Sequence, residues 1–197
     1  MEKIKWGIIG PGNIANNFAD GLKGSYSGQL VSIASKSEDR RKNFGDKYDI
    51  HPDFRFDSYE DIINSEHIDA IYVSTPHTLH AEWTIKAAGK GKHILCEKPG
   101  AINFNEGKKI IDAVREAGVF YMEGFMYRCH PQIPKLVDII KNKIIGDVIS
   151  VETSFGFDMG KTIPDHRLFN KNLAGGGILD VGLYPISFSR LIAGVAT

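Results

Sequence analysis

The chain opens with Lys3-Ile4-Lys5-Trp6-Gly7-Ile8-Ile9-Gly10-Pro11-Gly12-Asn13-Ile14-Ala15, an apolar run that ends in Gly-x-Gly-x-x-Ala. A helical pattern follows from Asn13, which gives the order strand, tight turn and helix. Gly10 allows a sharp turn, Gly12 leaves the backbone open to a pyrophosphate, and Ala15 lets the helix pack close to the strand. The stretch predicts a dinucleotide-binding turn with phosphates at the helix N-terminus. Because glycine-rich turns are common, a purely structural strand–helix turn is the alternative.

The segments that follow alternate between short apolar runs and helical patterns. Strands are predicted at residues 30–34, 70–74, 93–96 and 119–122, and helices at 13–22, 39–48, 59–64, 79–88 and 104–117. Ser58 and Asn103 are expected to cap two of these helices. The alternation predicts βαβ units and an α/β fold with a doubly wound parallel (Rossmann) sheet. The loops that carry the motifs would then meet at the carboxyl ends of the strands.

The pattern changes after residue 122. Three segments follow: a helix at 131–141, a long strand at 146–157 and, after Gly175-Gly176-Gly177, a helix at 178–193. One face of the predicted strand is the more apolar, which favours a sheet covered on one side, as in an α+β domain. Because a single strand cannot bury its own face, we expect a dinucleotide-binding domain at 1–122 and the first part of an incomplete α+β domain at 123–197. The sequence leaves open whether the chain is a fragment.

Composition excludes several classes of function. The 197 residues carry 24 basic and 24 acidic side chains, so no charge footprint for nucleic acid or an anionic membrane is present. No apolar run approaches the roughly 20 residues of a membrane span, and no signal peptide is recognised at the N-terminus. Two cysteines, Cys96 and Cys129, form no disulfide framework, and we expect a cytoplasmic protein. His77 and His80 lack companion ligands, so no metal site is predicted.

The end of the second strand bears on the choice between NADP and NAD. An NADP site has a small hydroxyl residue and a cation for the 2′-phosphate, whereas an NAD site has an acidic residue for the ribose. Here the strand ends in Ser35-Lys36-Ser37, with Arg40 one turn later, which favours NADP. Glu38 and Asp39 keep NAD possible, although both suit the N-terminal dipole of the next helix.

Two further motifs complete a recognisable pattern. Glu97-Lys98-Pro99 follows the fourth predicted strand, and Gly175-Gly176-Gly177-x-x-Asp180-x-Gly182-x-Tyr184 lies near the end of the chain. With the N-terminal turn, these motifs resemble the glucose-fructose oxidoreductase / inositol dehydrogenase / MocA (Gfo/Idh/MocA) family. The closest similarity is to its branch of dimeric dihydrodiol dehydrogenases and NADP-dependent xylose dehydrogenases. The resemblance extends over the whole chain.

The resemblance implies three groups of cofactor-binding residues. They would lie along the pyrophosphate, at the 2′-phosphate, and in the third-strand loop beside the cofactor. In that order the groups are Gly10, Gly12, Asn13 and Ile14; Ser35, Lys36 and Arg40; and Ser74, Thr75, Pro76, His77 and His80.

The resemblance also implies the catalytic residues. Glu97 and Lys98 match the pair near the nicotinamide ribose, with Lys98 reaching the substrate, and Asp180 and Tyr184 match site positions on the substrate-domain helix. Many members have histidine in place of Tyr184, and the tyrosine is typical of the branch named above. Family members continue with the rest of a substrate-domain sheet that also makes a dimer contact, which implies a homo-oligomer.

The residue types suit alcohol oxidation. A free phenol titrates near pH ~10, and a neighbouring ammonium group lowers that value, so Lys98 could prepare Tyr184 to act as a base. Asp180 is four residues before Tyr184 and would share its helical face. The alternatives are a solvated loop charge for Lys98 and a core position for Tyr184.

We therefore expect an NADP-dependent oxidoreductase that transfers a hydride between the nicotinamide and a sugar or small cyclic diol. The alternatives are an NAD-dependent inositol-type dehydrogenase, a keto-sugar reductase, and a non-catalytic NADP(H)-binding sensor or subunit.

Overall fold

In the computed structural model, residues 2–161, 163 and 166–194 are described. A six-stranded parallel sheet has the strand order β3-β2-β1-β4-β5-β6. The strands are β1 (Ile4–Ile9), β2 (Gly28–Ala34), β3 (Arg55–Phe56), β4 (Ala70–Val73), β5 (His93–Cys96) and β6 (Tyr121–Glu123). The order reverses direction between β1 and β4, as in a doubly wound sheet. The predicted Rossmann-type fold is confirmed.

Helices cover both faces of this sheet. They are α1 (Asn13–Lys23), α2 (Glu38–Lys47), α3 (Tyr59–Asn64), α4 (His80–Ala88) and α5 (Phe104–Ala117). Successive strand residues point to opposite faces, so Ile8 packs with α1 and α2 while Ile9 packs with α3 and α4. Both isoleucines are fully buried, which explains why the strands form continuous apolar runs rather than alternating ones.

Local signals place most element boundaries in this part of the chain. The Ser58 side chain accepts hydrogen bonds from the amides of Glu60 and Asp61, and Asn103 accepts one from the amide of Glu106, so both predicted caps are present. Three strand predictions need correction at their ends: β2 begins at residue 28, β4 ends at residue 73, and the last strand begins at residue 121. The two-residue strand β3 was not predicted, because it is too short for a periodic signal.

The chain divides into two compact units, and the division falls between Gly124 and Phe125. The second unit contains α6 (Gln132–Lys141), a π-helical turn (Ile178–Gly182) and α7 (Leu183–Ile192). The predicted helical segment at 178–193 is present, and its first turn is π-helical, with a backbone wider than an α-helix.

The predicted strand at 146–157 is wrong. All twelve of these residues are described, and none has strand conformation. No other strand occurs among the described residues of the second unit, so the segment has no neighbour with which to form a hydrogen-bonded ladder. The segment alternates between apolar and polar residues as a strand does, but no neighbouring strand among the described residues of its unit pairs with it.

Within the described part of the chain, the helices are too short or too polar to cross a membrane.

Candidate cofactor-binding site

The turn between β1 and α1 has the geometry of an anion site. Gly10 has a φ of +92°, and a Cβ there would lie 2.9 Å from the carbonyl oxygen of Ser74. At Gly12, by contrast, no heavy atom of the described residues other than its chain neighbours lies within 4 Å of the position a Cβ would occupy. α1 begins at Asn13 with no side-chain cap and no acidic residue in its first turn. The uncapped N-terminus of α1 therefore lies next to the open space at Gly12, which fits a pyrophosphate.

The loop after β4 is fastened to this turn. The Ser74 hydroxyl donates to the carbonyl oxygen of Gly10 at 2.8 Å, which joins the ends of β1 and β4. The next residue, Thr75, has a buried hydroxyl that finds no hydrogen-bond partner among the described residues. A buried hydroxyl without a partner is costly, so this atom fits a site that a ligand completes.

His80 holds two loops together. Its ring nitrogens lie 2.7 Å from the carbonyl oxygen of Pro99 and 2.8 Å from that of Thr75. The side chain is 1% exposed at the start of α4. These contacts join the β4 loop to the Glu97-Lys98-Pro99 turn, so the structure supports a positioning role for His80. Direct contact between His80 and a cofactor stays a prediction. In the same loop after β4, His77 is buried and Pro76 is exposed.

The end of β2 presents two cations around one aromatic ring. Lys36 and Arg40 are exposed, and the Lys36 ammonium lies 5.7 Å from the ring centroid of Tyr59. Burial raises the pKa of Tyr59, and the positive charge of Arg40 lowers it in part. Tyr59 was missed in the sequence because it lies in α3, well beyond the second strand.

The neighbouring polar residues have structural roles at this end of the sheet. Ser35 is buried, and its carbonyl oxygen accepts from Arg41 Nη1 at 2.7 Å. Ser37 caps α2, and Glu38 and Asp39 lie in the first turn of that helix, where they complement its dipole.

The end of β5 carries the Glu97-Lys98 pair. The hydroxyl of Tyr72 donates to Glu97 Oε1 at 2.6 Å, and the amide of Gly100 donates to Glu123 Oε1 at 2.8 Å. Burial and the negative charge of Glu97 both raise the pKa of Tyr72 far above its ordinary value. Tyr72 and Glu123 were missed in the sequence, although a tyrosine within a buried strand signals that its hydroxyl needs a partner.

In the second unit, Asp180 and Tyr184 have different surroundings. Asp180 is buried in the π-helical turn, and its Oδ1 lies 3.5 Å from Arg167 Nη1. The Tyr184 ring packs against aromatic neighbours, with its centroid 5.0 Å from that of Phe155 and 5.8 Å from that of Phe125. Asp180 therefore has an ion-pair partner within its own unit.

The described residues contain no group of three or more histidine, cysteine, aspartate or glutamate side chains arranged to hold a metal ion.

A family model described as "oxidoreductase family, NAD-binding Rossmann fold" matches residues 4–125. The chain belongs to the Gfo/Idh/MocA family. This agrees with the resemblance drawn from the motifs, and the match covers the whole sheet and the β1–α1 turn.

Two relatives are similar to nearly the whole chain. "D-xylose 1-dehydrogenase (NADP(+)) 2" of Haloferax volcanii is 34% identical over 191 residues, which are 97% of this chain and 58% of that protein. "Trans-1,2-dihydrobenzene-1,2-diol dehydrogenase" of Mus musculus is 33% identical over 193 residues, which are 97% of this chain and 56% of that protein. The chain thus spans a little over half the length of these relatives.

Two solved structures also align with nearly the whole chain. Aldose-aldose oxidoreductase from Caulobacter crescentus, complexed with glycerol, aligns with a TM-score of 0.90 and 28% identity, over 98% of this chain and 58% of that one. A 3-ketoreductase from Actinomadura kijaniata, in complex with TDP-benzene and NADP, aligns with a TM-score of 0.79 and 33% identity, over 97% of this chain and 56% of that one.

Proposed function

We propose that the chain carries the cofactor-binding unit of an NADP-dependent oxidoreductase that acts on a CH–OH group of a sugar or small cyclic diol. The observation that carries the proposal is the β1–α1 turn, where an uncapped helix N-terminus opens beside Gly12 at the strand-order reversal. In doubly wound sheets a dinucleotide binds at that reversal, outside the carboxyl ends of the strands. Gly10, Gly12, Asn13 and Ile14 would hold its pyrophosphate.

Lys36 and Arg40 support NADP over NAD. Both cations are exposed, Lys36 just after β2 and Arg40 in the first turn of α2. An exposed cation is available for the 2′-phosphate of NADP. The NADP named for the Haloferax xylose dehydrogenase and the NADP held by the Actinomadura ketoreductase support the same choice. NAD remains the alternative cofactor.

When bound, the nicotinamide supplies the hydride chemistry. Of this chain's own residues, Glu97 would bind the nicotinamide-side ribose and Lys98 would orient the substrate hydroxyl. Tyr184 would accept the hydroxyl proton during oxidation and return it during reduction. Asp180, with its Arg167 partner, would fix the turn that leads to Tyr184. In support, a general acid or base must lie within hydrogen-bond reach of the proton that is transferred, and lysine and tyrosine both serve this role in enzymes.

The substrate class rests on the relatives. Their names include a xylose dehydrogenase, a dihydrodiol dehydrogenase and an aldose-aldose oxidoreductase, and these names refer to sugar or diol substrates. The Actinomadura ketoreductase favours the reverse direction as a second candidate, reduction of a keto sugar. An inositol-type NAD enzyme and a non-catalytic sensor stay as alternatives. Homo-oligomerisation and a cytoplasmic location remain predictions.

A steady-state assay tests this function. The purified protein is incubated with NADP⁺ and a panel of pentoses, hexoses, inositols and cyclic diols, and with NADPH and the matching keto compounds. NADPH formation or consumption that disappears in Tyr184→Phe supports the proposal. Tight NADPH binding with no turnover on any member of the panel would favour the sensor instead.

A further inference from the structure

Three aromatic side chains of the first unit pack in a row on the side of the sheet that α1 covers: Trp6, Phe18 and Tyr72. The rings of Trp6 and Phe18 meet edge to face with centroids 5.2 Å apart, and Phe18 stacks on Tyr72 with centroids 4.2 Å apart. Tyr72 is 2% exposed and lies opposite Ile8 of β1 and Leu95 of β5. Stacking and strand pairing on both sides fix the position of its ring.

The polar end of this row is the Tyr72 hydroxyl, which donates to Glu97 Oε1 at 2.6 Å. That distance is typical of a charge-assisted O–H···O⁻ hydrogen bond, which is stronger than a neutral one. Because burial and the Glu97 charge raise the pKa of Tyr72, its phenol keeps the proton that it donates in this hydrogen bond. Tyr72 is therefore suited to hold a carboxylate and unsuited to transfer a proton at neutral pH.

Glu97 is confined by the backbone as well. A Cβ on Gly124 would lie 3.3 Å from Glu97 Oε1 and 3.2 Å from the carbonyl oxygen of Cys96. The chain passes this close to the carboxylate because Gly124 has no side chain. One oxygen of Glu97 is thus placed between the tyrosine hydroxyl and the backbone at Gly124.

The same tyrosine connects Glu97 to the phosphate-binding helix. Phe18 belongs to α1, whose N-terminus is the proposed pyrophosphate site, and Glu97 follows β5 in the other half of the sheet. In a doubly wound sheet each half holds one mononucleotide, so β4 and β5 lie on the nicotinamide side. Tyr72 lies between the elements that would hold these two parts of the cofactor.

We propose that Tyr72 is a positioning residue for cofactor binding, which acts by holding the Glu97 carboxylate toward the hydroxyl groups of the nicotinamide-side ribose. The inference rests on the proposed function. A carboxylate accepts several hydrogen bonds, so the bond from Tyr72 leaves capacity for ribose hydroxyls. Fixing its orientation in advance reduces the ordering cost of binding.

Tyr72→Phe removes the hydroxyl and keeps the ring that stacks on Phe18. Two probes are titrated against the full chain: NADPH, and adenosine 2′,5′-bisphosphate, which lacks the nicotinamide half. Loss of one hydrogen bond to a charged group should weaken NADPH binding by about five- to tenfold and leave adenosine 2′,5′-bisphosphate within about twofold of the parent. Tyr48→Phe is the control, because the half-buried Tyr48 hydroxyl also donates a side-chain hydrogen bond, to Asn16 Oδ1 at 3.0 Å. It should change neither affinity.

A double-mutant cycle with Glu97→Gln shows whether Tyr72 acts through Glu97. Tyr72→Phe should add no further loss of NADPH affinity in the Glu97→Gln background. An equal loss in both backgrounds, or an equal loss for both probes, would make Tyr72 a merely structural residue and overturn the inference while the proposed function stands. A parent chain that binds neither probe would overturn the proposed function, and this inference with it.

Discussion

The two units of the chain contain the same kind of strand signal with opposite outcomes. In the first unit, the apolar run of β1 is paired on both sides, by β2 and β4, and its core residues are fully buried. In the second unit, residues 146–157 alternate well but form no strand, and Ile149 is 93% exposed.

The difference shows what a strand pattern needs besides its own sequence. Each strand of the first unit has its partners elsewhere in that unit, at distances along the chain that a βαβ crossover can span. The segment at 146–157 has no such partner among the described residues of its unit. Apolar side chains such as Phe155 and Phe157 remain half exposed, at 53% and 57%. A periodic pattern therefore predicts a strand only where the chain also supplies its neighbours.

The largest expected difference between the two regions is in amide hydrogen exchange. Amides in β1 and β4 exchange only when the core opens, at a cost of roughly 5 kcal/mol or more, so they should exchange about 10³-fold or more slowly than amides at 147–157. Exchange followed by mass spectrometry or NMR on the full chain measures this. Comparable protection in both regions would show that 146–157 is paired in solution and would remove the contrast.

The proposed catalytic residues are Lys98 and Tyr184. Tyr184→Phe should leave NADPH binding intact and lower turnover by about 10²–10⁴-fold, as expected for lost acid–base catalysis. Lys98→Met should cause a similar loss, and the two losses should not multiply if the residues act together. Turnover of Tyr184→Phe within about twofold of the parent would exclude tyrosine as the proton carrier and leave Asp180 and Lys98 to test.

The two glycines of the β1–α1 turn should respond differently to the same substitution. Gly10→Ser forces a side chain into a left-handed backbone against the Ser74 carbonyl, so the free energy of unfolding should fall by about 1–3 kcal/mol. Gly12→Ser introduces a favoured helix cap into open space, so stability should hold within about 0.5 kcal/mol or rise.

Both serine variants should nevertheless lose NADPH affinity, by about tenfold or more. Gly10→Ser distorts the turn, and the new hydroxyl in Gly12→Ser competes with the pyrophosphate for the N–H groups at the N-terminus of α1. Thermal or denaturant unfolding beside a binding titration separates the two effects. Normal NADPH affinity in Gly12→Ser would mean that no phosphate binds at this turn.

Lys36→Ala should give a smaller and more selective effect. A charge-assisted contact to phosphate contributes about 1.5–3 kcal/mol, so NADPH affinity should fall by roughly tenfold or more while NADH affinity stays unchanged. Lys42→Ala is the control, because Lys42 is an exposed lysine of α2 that pairs with Asp46. Equal losses for NADPH and NADH in Lys36→Ala would contradict the assignment of the 2′-phosphate site.

Local chemistry made much of the first unit predictable. The Ser58 and Asn103 caps, the Gly10 turn and the buried apolar strands each depend on a few neighbouring residues. The π-helical turn at Ile178–Gly182 escaped prediction, because a one-residue widening of a helix leaves the apolar pattern nearly unchanged.

The missed parts of the candidate site are contacts between distant residues. Tyr72 and Glu97 are 25 positions apart, and only the pairing of β4 with β5 brings the hydroxyl to the carboxylate. His80 likewise meets the Pro99 carbonyl across 19 positions. Such contacts follow from strand register, which a single sequence does not determine at the level of individual atoms.

The central claim is that the first unit binds NADP(H) at the β1–α1 turn, and the most direct test is the affinity of the full chain for NADPH and NADH at one ionic strength. NADPH should bind about tenfold or more tightly than NADH, because the proposed cations after β2 would contact only the 2′-phosphate. Equal affinity for the two would contradict the NADP assignment. Failure to bind either would contradict the account as a whole.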